Sequence, residues 1–154
     1  MKTKLIAGLM VLGGVLWAYP VAAYNLGEVK QLLQTKQCAG CDLTNANLAG
    51  ADLRGAHLIG ASLMGANLRG ANLTRANLEG ADLTGAQLEN TNFTKAFAPN
   101  AIFNSTNLKS ANFTNASLVH ANLRWANINN TNFKNAQIVG ADFTGTNYSL
   151  AEVK

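Results

Sequence analysis

A large apolar residue returns at every fifth position from Leu43 to Tyr148, filling all but one of twenty-two successive places; the exception is Ala98. Leucine holds most of these centres, and Phe93, Phe103, Phe113, Ile128, Phe133, Ile138, Phe143 and Tyr148 hold the rest. A small residue stands two places before each centre, mainly alanine, with threonine at Thr91, Thr106, Thr131 and Thr146. A helix repeats its apolar face about every 3.6 residues and a strand about every 2, so a period of five comes from neither kind of amphipathic stripe. A short unbroken period belongs to a solenoid, in which each unit buries its apolar face only by stacking on its neighbours. Disordered low-complexity chains lack so regular an apolar beat, and here 48% of the residues are hydrophobic.

The repeat reads Ala-(Asp/Asn)-Leu-x-x, as in Ala51-Asp52-Leu53-Arg54-Gly55 and Ala71-Asn72-Leu73-Thr74-Arg75. On these residues the chain resembles the pentapeptide-repeat proteins, whose motif is A(D/N)LXX, and the resemblance spans Cys41 to Tyr148. It implies an all-β solenoid: a right-handed quadrilateral β-helix in which one pentapeptide makes one side and four make one coil. That gives about 5.5 coils and, at the roughly 4.8 Å spacing of stacked strands, a rod about 26 Å long. The centre and the small residue before it are expected to point inward, one supplying apolar burial and the other fitting a narrow interior. Three positions per repeat are left outside.

Residues 1–23 are a different kind of sequence. Lys2 and Lys4 open it, Leu5 to Leu16 form an apolar run, and Val21-Ala22-Ala23 ends it in small residues. This is the layout of a secretory signal cleaved after Ala23, and Gly8, Gly13, Gly14 and Pro20 weaken it as a retained span. Residues 24–40 are expected to form a helical cap, with Asn25 and Glu28 at capping-box spacing and Leu26, Val29, Leu32 and Leu33 as its apolar face. Residues 41–154 are expected to form the β-helix. Ala151-Glu152-Val153 continues its phase without a visible cap, so that end is expected to fray or to be covered by a partner or a second copy, a possible route to a homo-oligomer.

Formal charge is +4, and removing Lys2 and Lys4 leaves ten basic residues against eight acidic ones. The basic residues are scattered, with no stripe that would track phosphates, so nucleic-acid binding is not expected. Some pentapeptide-repeat proteins inhibit DNA gyrase by presenting a long acidic rod; this chain is short and not acidic, which disfavours such mimicry. After signal cleavage no membrane association is expected.

Cys38 and Cys41 form Cys-Ala-Gly-Cys. Both fall on inward phases, and in an exported chain a disulfide is the leading expectation, with a free thiol pair as the alternative. Zinc needs more ligands, a c-type haem needs His where Asp42 stands, and a thioredoxin-like role needs a βαβ context. His57 and His120 fall on outer positions about three coils apart and cannot share a ligand. No metal, cofactor or catalytic constellation is expected. Gly50, Gly55, Gly60, Gly65 and Gly70 recur at the last place of the repeat and serve its corners.

Sorting the outer positions by coil gives vertical columns. Asn47, Asn67, Gln87, Asn107, Asn127 and Asn147 make an amide ladder, and Thr74, Thr94 and Thr114 make a threonine column. Ile59, Val119 and Val139 share one outward column, interrupted by Glu79 and Pro99, and Met64, Ile102 and Trp125 are expected on the next side close to the shared edge. Together these six are the candidate docking residues. At Phe97-Ala98-Pro99 the rhythm stumbles; a bulge that turns Phe97 inward to fill the volume left by Ala98 is expected, with a recognition knob projecting beside Pro99 as the alternative.

The function expected is that of a non-enzymatic interaction scaffold with an unidentified protein partner. The alternatives are a regulator that inhibits a particular enzyme by docking, and a redox-responsive protein using Cys38 and Cys41. Cys38-Ala-Gly-Cys41-Asp42-Leu43-Thr44 resembles the corresponding segment of exported cyanobacterial pentapeptide-repeat proteins, which implies a periplasm or a thylakoid lumen.

Overall fold

Asn25 starts the only helix among the described residues by accepting the N–H groups of Gly27 and Glu28 on its side-chain oxygen. The computed structural model describes residues 24–147; the signal-like segment 1–23 and the C-terminal residues 148–154 lie outside the described residues. The helix, α1, runs Leu26–Thr35 and ends at Lys36 in the left-handed conformation. Val29 and Leu32 are buried against the first coil. Leu26 and Leu33 are not: Leu26 is 71% exposed, so the apolar face of α1 is narrower than its four-residue pattern implies. A straight helix lying across the end of a narrow solenoid touches it along one line, and only residues on that line are covered.

After α1 the chain winds into a right-handed quadrilateral β-helix. Gln37 pairs with His57, His57 with Asn77, Asn77 with Phe97, and each later partner again lies twenty residues on. Twenty residues are four pentapeptides, hence four sides per coil. The sides are named here by their first full repeat: the Leu43, Leu48, Leu53 and Leu58 sides, in chain order. Cys38 lies on the Leu58 side.

The bonding pattern explains the motif place by place. The centre donates to the next coil, as Leu48 N–H does to Asn67 O at 2.7 Å. The residue before it donates to the previous coil, as Asn67 N–H does to Ala46 O at 2.9 Å. The corner residue also donates onward (Gly50 N–H to Arg69 O, 2.8 Å), and the next small residue closes the turn (Ala51 N–H to Leu48 O, 3.0 Å). One N–H, on the residue after the centre, is left out of this inter-coil ladder. The Asp or Asn of the motif takes it. Asp42 accepts from Thr44 at 3.1 Å, Asn92 from Thr94 at 2.9 Å and Asn132 from Lys134 at 2.9 Å, and every other Asp or Asn at that place from Asn47 to Asp142 does the same.

Inside, leucine and alanine fill the first coils and aromatic rings the last. Phe93 and Phe113 stack with centroids 4.5 Å apart, Phe113 and Phe133 at 5.4 Å, and Phe103 meets both Phe93 and Phe113 edge-on. The buried threonines lose nothing to their location, since Thr91 donates to Leu68 O at 2.7 Å and Thr106 to Phe103 O at 2.8 Å.

No bulge forms at Phe97-Ala98-Pro99. Phe97 keeps its ladder bonds, donating to Ala76 O at 2.9 Å and accepting from Leu78 N–H at 2.7 Å, while Ala98 sits buried at the centre. The phenyl ring stays outside, 46% exposed. Pro99 falls on the one place whose N–H the ladder does not use, so proline costs no inter-coil bond. With no N–H to cap there, the preceding place need not be Asp or Asn, and Phe97 is tolerated.

Candidate functional site

The Leu58 side has the most apolar exterior. Its two outer columns are His57, Asn77, Phe97, Ser117, Gln137 and Ile59, Glu79, Pro99, Val119, Val139. Ile59, Phe97 and Val139 are exposed, Val139 at 72%; Val119 is half-buried and Pro99 buried. The inter-coil ladder fixes these side chains on a flat wall. Of the residues in its leading column only Asn77 caps the turn that follows.

The structure brings some of the six candidate residues together and separates others. Ile59, Val119 and Val139 share one column of the Leu58 side, and half-buried Ile102 stands in the adjoining column of the Leu43 side, just past the corner. Met64 and Trp125 do not lie at that shared edge. Met64 stands in the far column of the Leu43 side, and Trp125, 63% exposed, is its far corner residue with φ 60°. Trp125 leans along the rod over Gly145, where a Cβ would come within 2.2 Å of its ring. Phe97 belongs to the exposed set, as in the projecting-knob alternative and against the leading expectation that it turns inward. The signal was present: Pro99 two places later removes the reason for Asp or Asn at 97.

Charges on the other sides are largely engaged. Arg69 makes two bonds to Glu89 (2.8 and 2.9 Å), and Glu89, with only 15% of its side chain exposed, also accepts from Asn107 at 2.7 Å. The Arg69 hydrogen bond holds the Glu89 carboxyl below its ordinary range. Arg54 grips Asp52 at 2.7 Å and depresses its carboxyl strongly. Bonds from Thr44 and Thr144 lower those of Asp42 and Asp142, and Arg124 lies 3.8 Å from Asp142. The amide ladder forms in pieces, Asn67 to Asn47 at 3.3 Å and Asn127 to Asn107 at 3.2 Å, because Asn107 turns to Glu89 instead of Gln87.

Cys38 and Cys41 place their sulfurs 2.14 Å apart, a disulfide, with Cα atoms separated by 5.2 Å. Both are buried, and the Cys38 sulfur lies 3.5 Å from the Glu28 carbonyl oxygen of α1. Among the described residues no three His, Cys, Asp or Glu side chains gather as a metal site, and no helix is long and apolar enough to cross a membrane. His57 and His120 stand on the exterior, His120 leaning over Gly140.

The family model for pentapeptide repeats matches eight copies across residues 37–80, 71–109 and 106–145. The chain belongs to the pentapeptide-repeat family. Among solved structures, this pentapeptide-repeat chain is similar to Rfr23 from the cyanobacterium Cyanothece 51142, with 26% identity, 80% of this chain and 98% of that one covered, and a TM-score of 0.56. It is also similar to a pentapeptide repeat protein from the Arabidopsis thaliana thylakoid lumen, with 32% identity, coverage of 79% and 75%, and a TM-score of 0.32. A pentapeptide repeat protein from Nostoc PCC 7120 shares 27% identity, with coverage of 82% and 90% and a TM-score of 0.34. No curated protein matches the chain. Pentapeptide-repeat proteins are generally structural or interaction proteins rather than enzymes.

Proposed function

We propose that this pentapeptide-repeat protein is an exported, non-enzymatic scaffold that docks a second protein on its Leu58 side. The observation that carries this reading is the exposure of Ile59, Phe97 and Val139 together on one flat, backbone-fixed wall. Rigid presentation lowers the ordering cost of association, and apolar side chains in such a position gain from burial. Support for export comes from the basic start, apolar run and small-residue exit of residues 1–23, and from the disulfide, which suits an oxidising compartment such as a periplasm or thylakoid lumen. If the docked protein is an enzyme, occupation of the wall would regulate it.

The test is affinity capture from the exported fraction, with the protein and its Ile59→Asp/Val119→Asp/Val139→Asp variant as parallel baits of equal circular dichroism. A protein held by the first and released by the second supports the reading. Equal capture by both, or capture by neither, sinks it and moves attention to the C-terminal end as a contact with a second copy. A second reading, a redox-responsive protein, is favoured by the Cys38–Cys41 pair lying directly beneath α1. It requires that reduction by a dithiol loosen α1, read as faster amide exchange over Leu26–Thr35.

A further inference from the structure

We propose that the Leu58 side and the corner leading into it form one composite docking face for an acidic protein segment. The apolar residues of that segment meet Ile59, Phe97, Val119 and Val139, and its carboxylates meet Arg75 and Lys95. The inference rests on the docking reading above and adds the chemistry of the partner.

Arg75 and Lys95 are successive rungs of the corner between the Leu53 and Leu58 sides, stacked one coil apart at about 5 Å along the backbone. Both are exposed, and neither makes an ion pair among the described residues, whereas Arg54, Arg69 and Arg124 each face a carboxylate. Stacked like charges oppose one another. The backbone at this corner also works against them: Arg75 has φ 60° and Lys95 φ 58°, a conformation better suited to the Gly55, Asn115 and Asn135 found on the other rungs. Two long cations thus occupy positions that neither local electrostatics nor backbone preference favours. A bound carboxylate would relieve the repulsion.

Their place relative to the apolar wall defines the partner. Lys95 lies two residues before Phe97 on the same rung, and Arg75 holds the same relation to Asn77 on the rung before it. The two nearby carboxylates leave this corner open. Asp52 is gripped by Arg54, and Glu79 stands in the far column with Asn77 between, its N–H bonded to Asn77 at 3.0 Å. Cations along one edge and apolar side chains across the middle complement a segment with carboxylates along one edge and apolar residues beside them. A lipid surface fits less well, because Asn77, Ser117 and Gln137 break up the apolar positions and Glu79 stands among them.

The experiment is selection of random displayed peptides on the purified protein, with two folded controls: Arg75→Glu/Lys95→Glu and Ile59→Asp/Val119→Asp/Val139→Asp. Because both cations are exposed, Arg75→Gln/Lys95→Gln supplies a milder variant if the reversal perturbs folding. The expected winners are rich in Asp or Glu together with apolar residues, weaken with salt, and lose about tenfold or more in affinity on either control. Neutral or basic winners, or acidic winners indifferent to charge reversal, overturn the inference; the docking reading survives if those winners still need the apolar wall. No enrichment at all overturns both. Flotation of the protein with phosphatidylglycerol vesicles, abolished by the charge reversal, would assign the face to a membrane and likewise overturn the inference.

Discussion

The Glu28 carboxylate accepts the backbone N–H of Asp42 at 2.5 Å. In the next coil the equivalent N–H, that of Ser62, donates to the Cys41 carbonyl of the coil beneath it. Asp42 has no coil beneath it, so a side chain of α1 stands in for the missing carbonyl. Two further groups do the same for carbonyls of this first coil: the Lys36 ammonium donates to Asp52 O, and Gln31 Nε2 donates to Gln37 O at 2.8 Å. The cap is therefore a set of replacement hydrogen bonds as well as an apolar cover. Glu28→Ala is expected to cost about 1 kcal/mol and to speed exchange of the Asp42 amide, leaving the coils after Leu83 unchanged. Unchanged exchange at Asp42 would show that the carboxylate does not hold that group.

Phe97 and Pro99 should be energetically coupled. Pro99→Ala restores an N–H that Phe97 cannot cap, whereas Pro99→Ala combined with Phe97→Asn restores the pattern of the other repeats. The double variant is expected to be more stable than the sum of the two single changes by about 0.5–1 kcal/mol, measured by urea unfolding. Strict additivity would refute the explanation given for the motif's Asp or Asn.

Corner substitutions should divide by what leans over them. Gly50→Ala meets nothing within 4 Å and is expected to cost about 1–2 kcal/mol for its left-handed backbone alone. Gly140→Ala adds a contact 2.2 Å from the His120 ring and should cost more. His120→Gly in the same chain is expected to remove that excess. Thermal unfolding of the three variants decides the point.

Acid should weaken the Leu48 side through Glu89. Its carboxyl is depressed in the folded protein, so this stabilisation is complete above the ordinary value of 4.5 and is lost as pH falls through the lower folded value. Arg69→Gln is expected to flatten the fall in stability below pH 4.5, with little change in its slope at neutral pH. An identical acid profile in both proteins would mean that the pair contributes nothing.

Truncating a stacked ring should be costly at mid-rod. Phe113→Ala removes the ring that meets Phe93, Phe103 and Phe133, and about 3–5 kcal/mol is expected from chemical denaturation.

The five-residue phase was enough to read the solenoid, the inward Leu and Ala columns and the inward pair Cys38 and Cys41. Each follows from which residues recur and how large they are, and steric fit into a narrow interior admits one arrangement. The column shared by Ile59, Val119 and Val139 follows once a coil holds twenty residues. Three features needed the folded chain. Phe97 keeps its outward phase because its ladder bonds to both neighbouring coils stay intact and no bulge forms; Glu28 leaves its own helix because Asp42 lacks a coil beneath it; Trp125 lies at a far corner over Gly145. Periodicity ranks side chains by size and phase, so by itself it determined what is buried. Which backbone groups are left without a partner depends on the neighbouring coil and the rod's end, and only the tertiary structure decided which side chains were called upon to satisfy them.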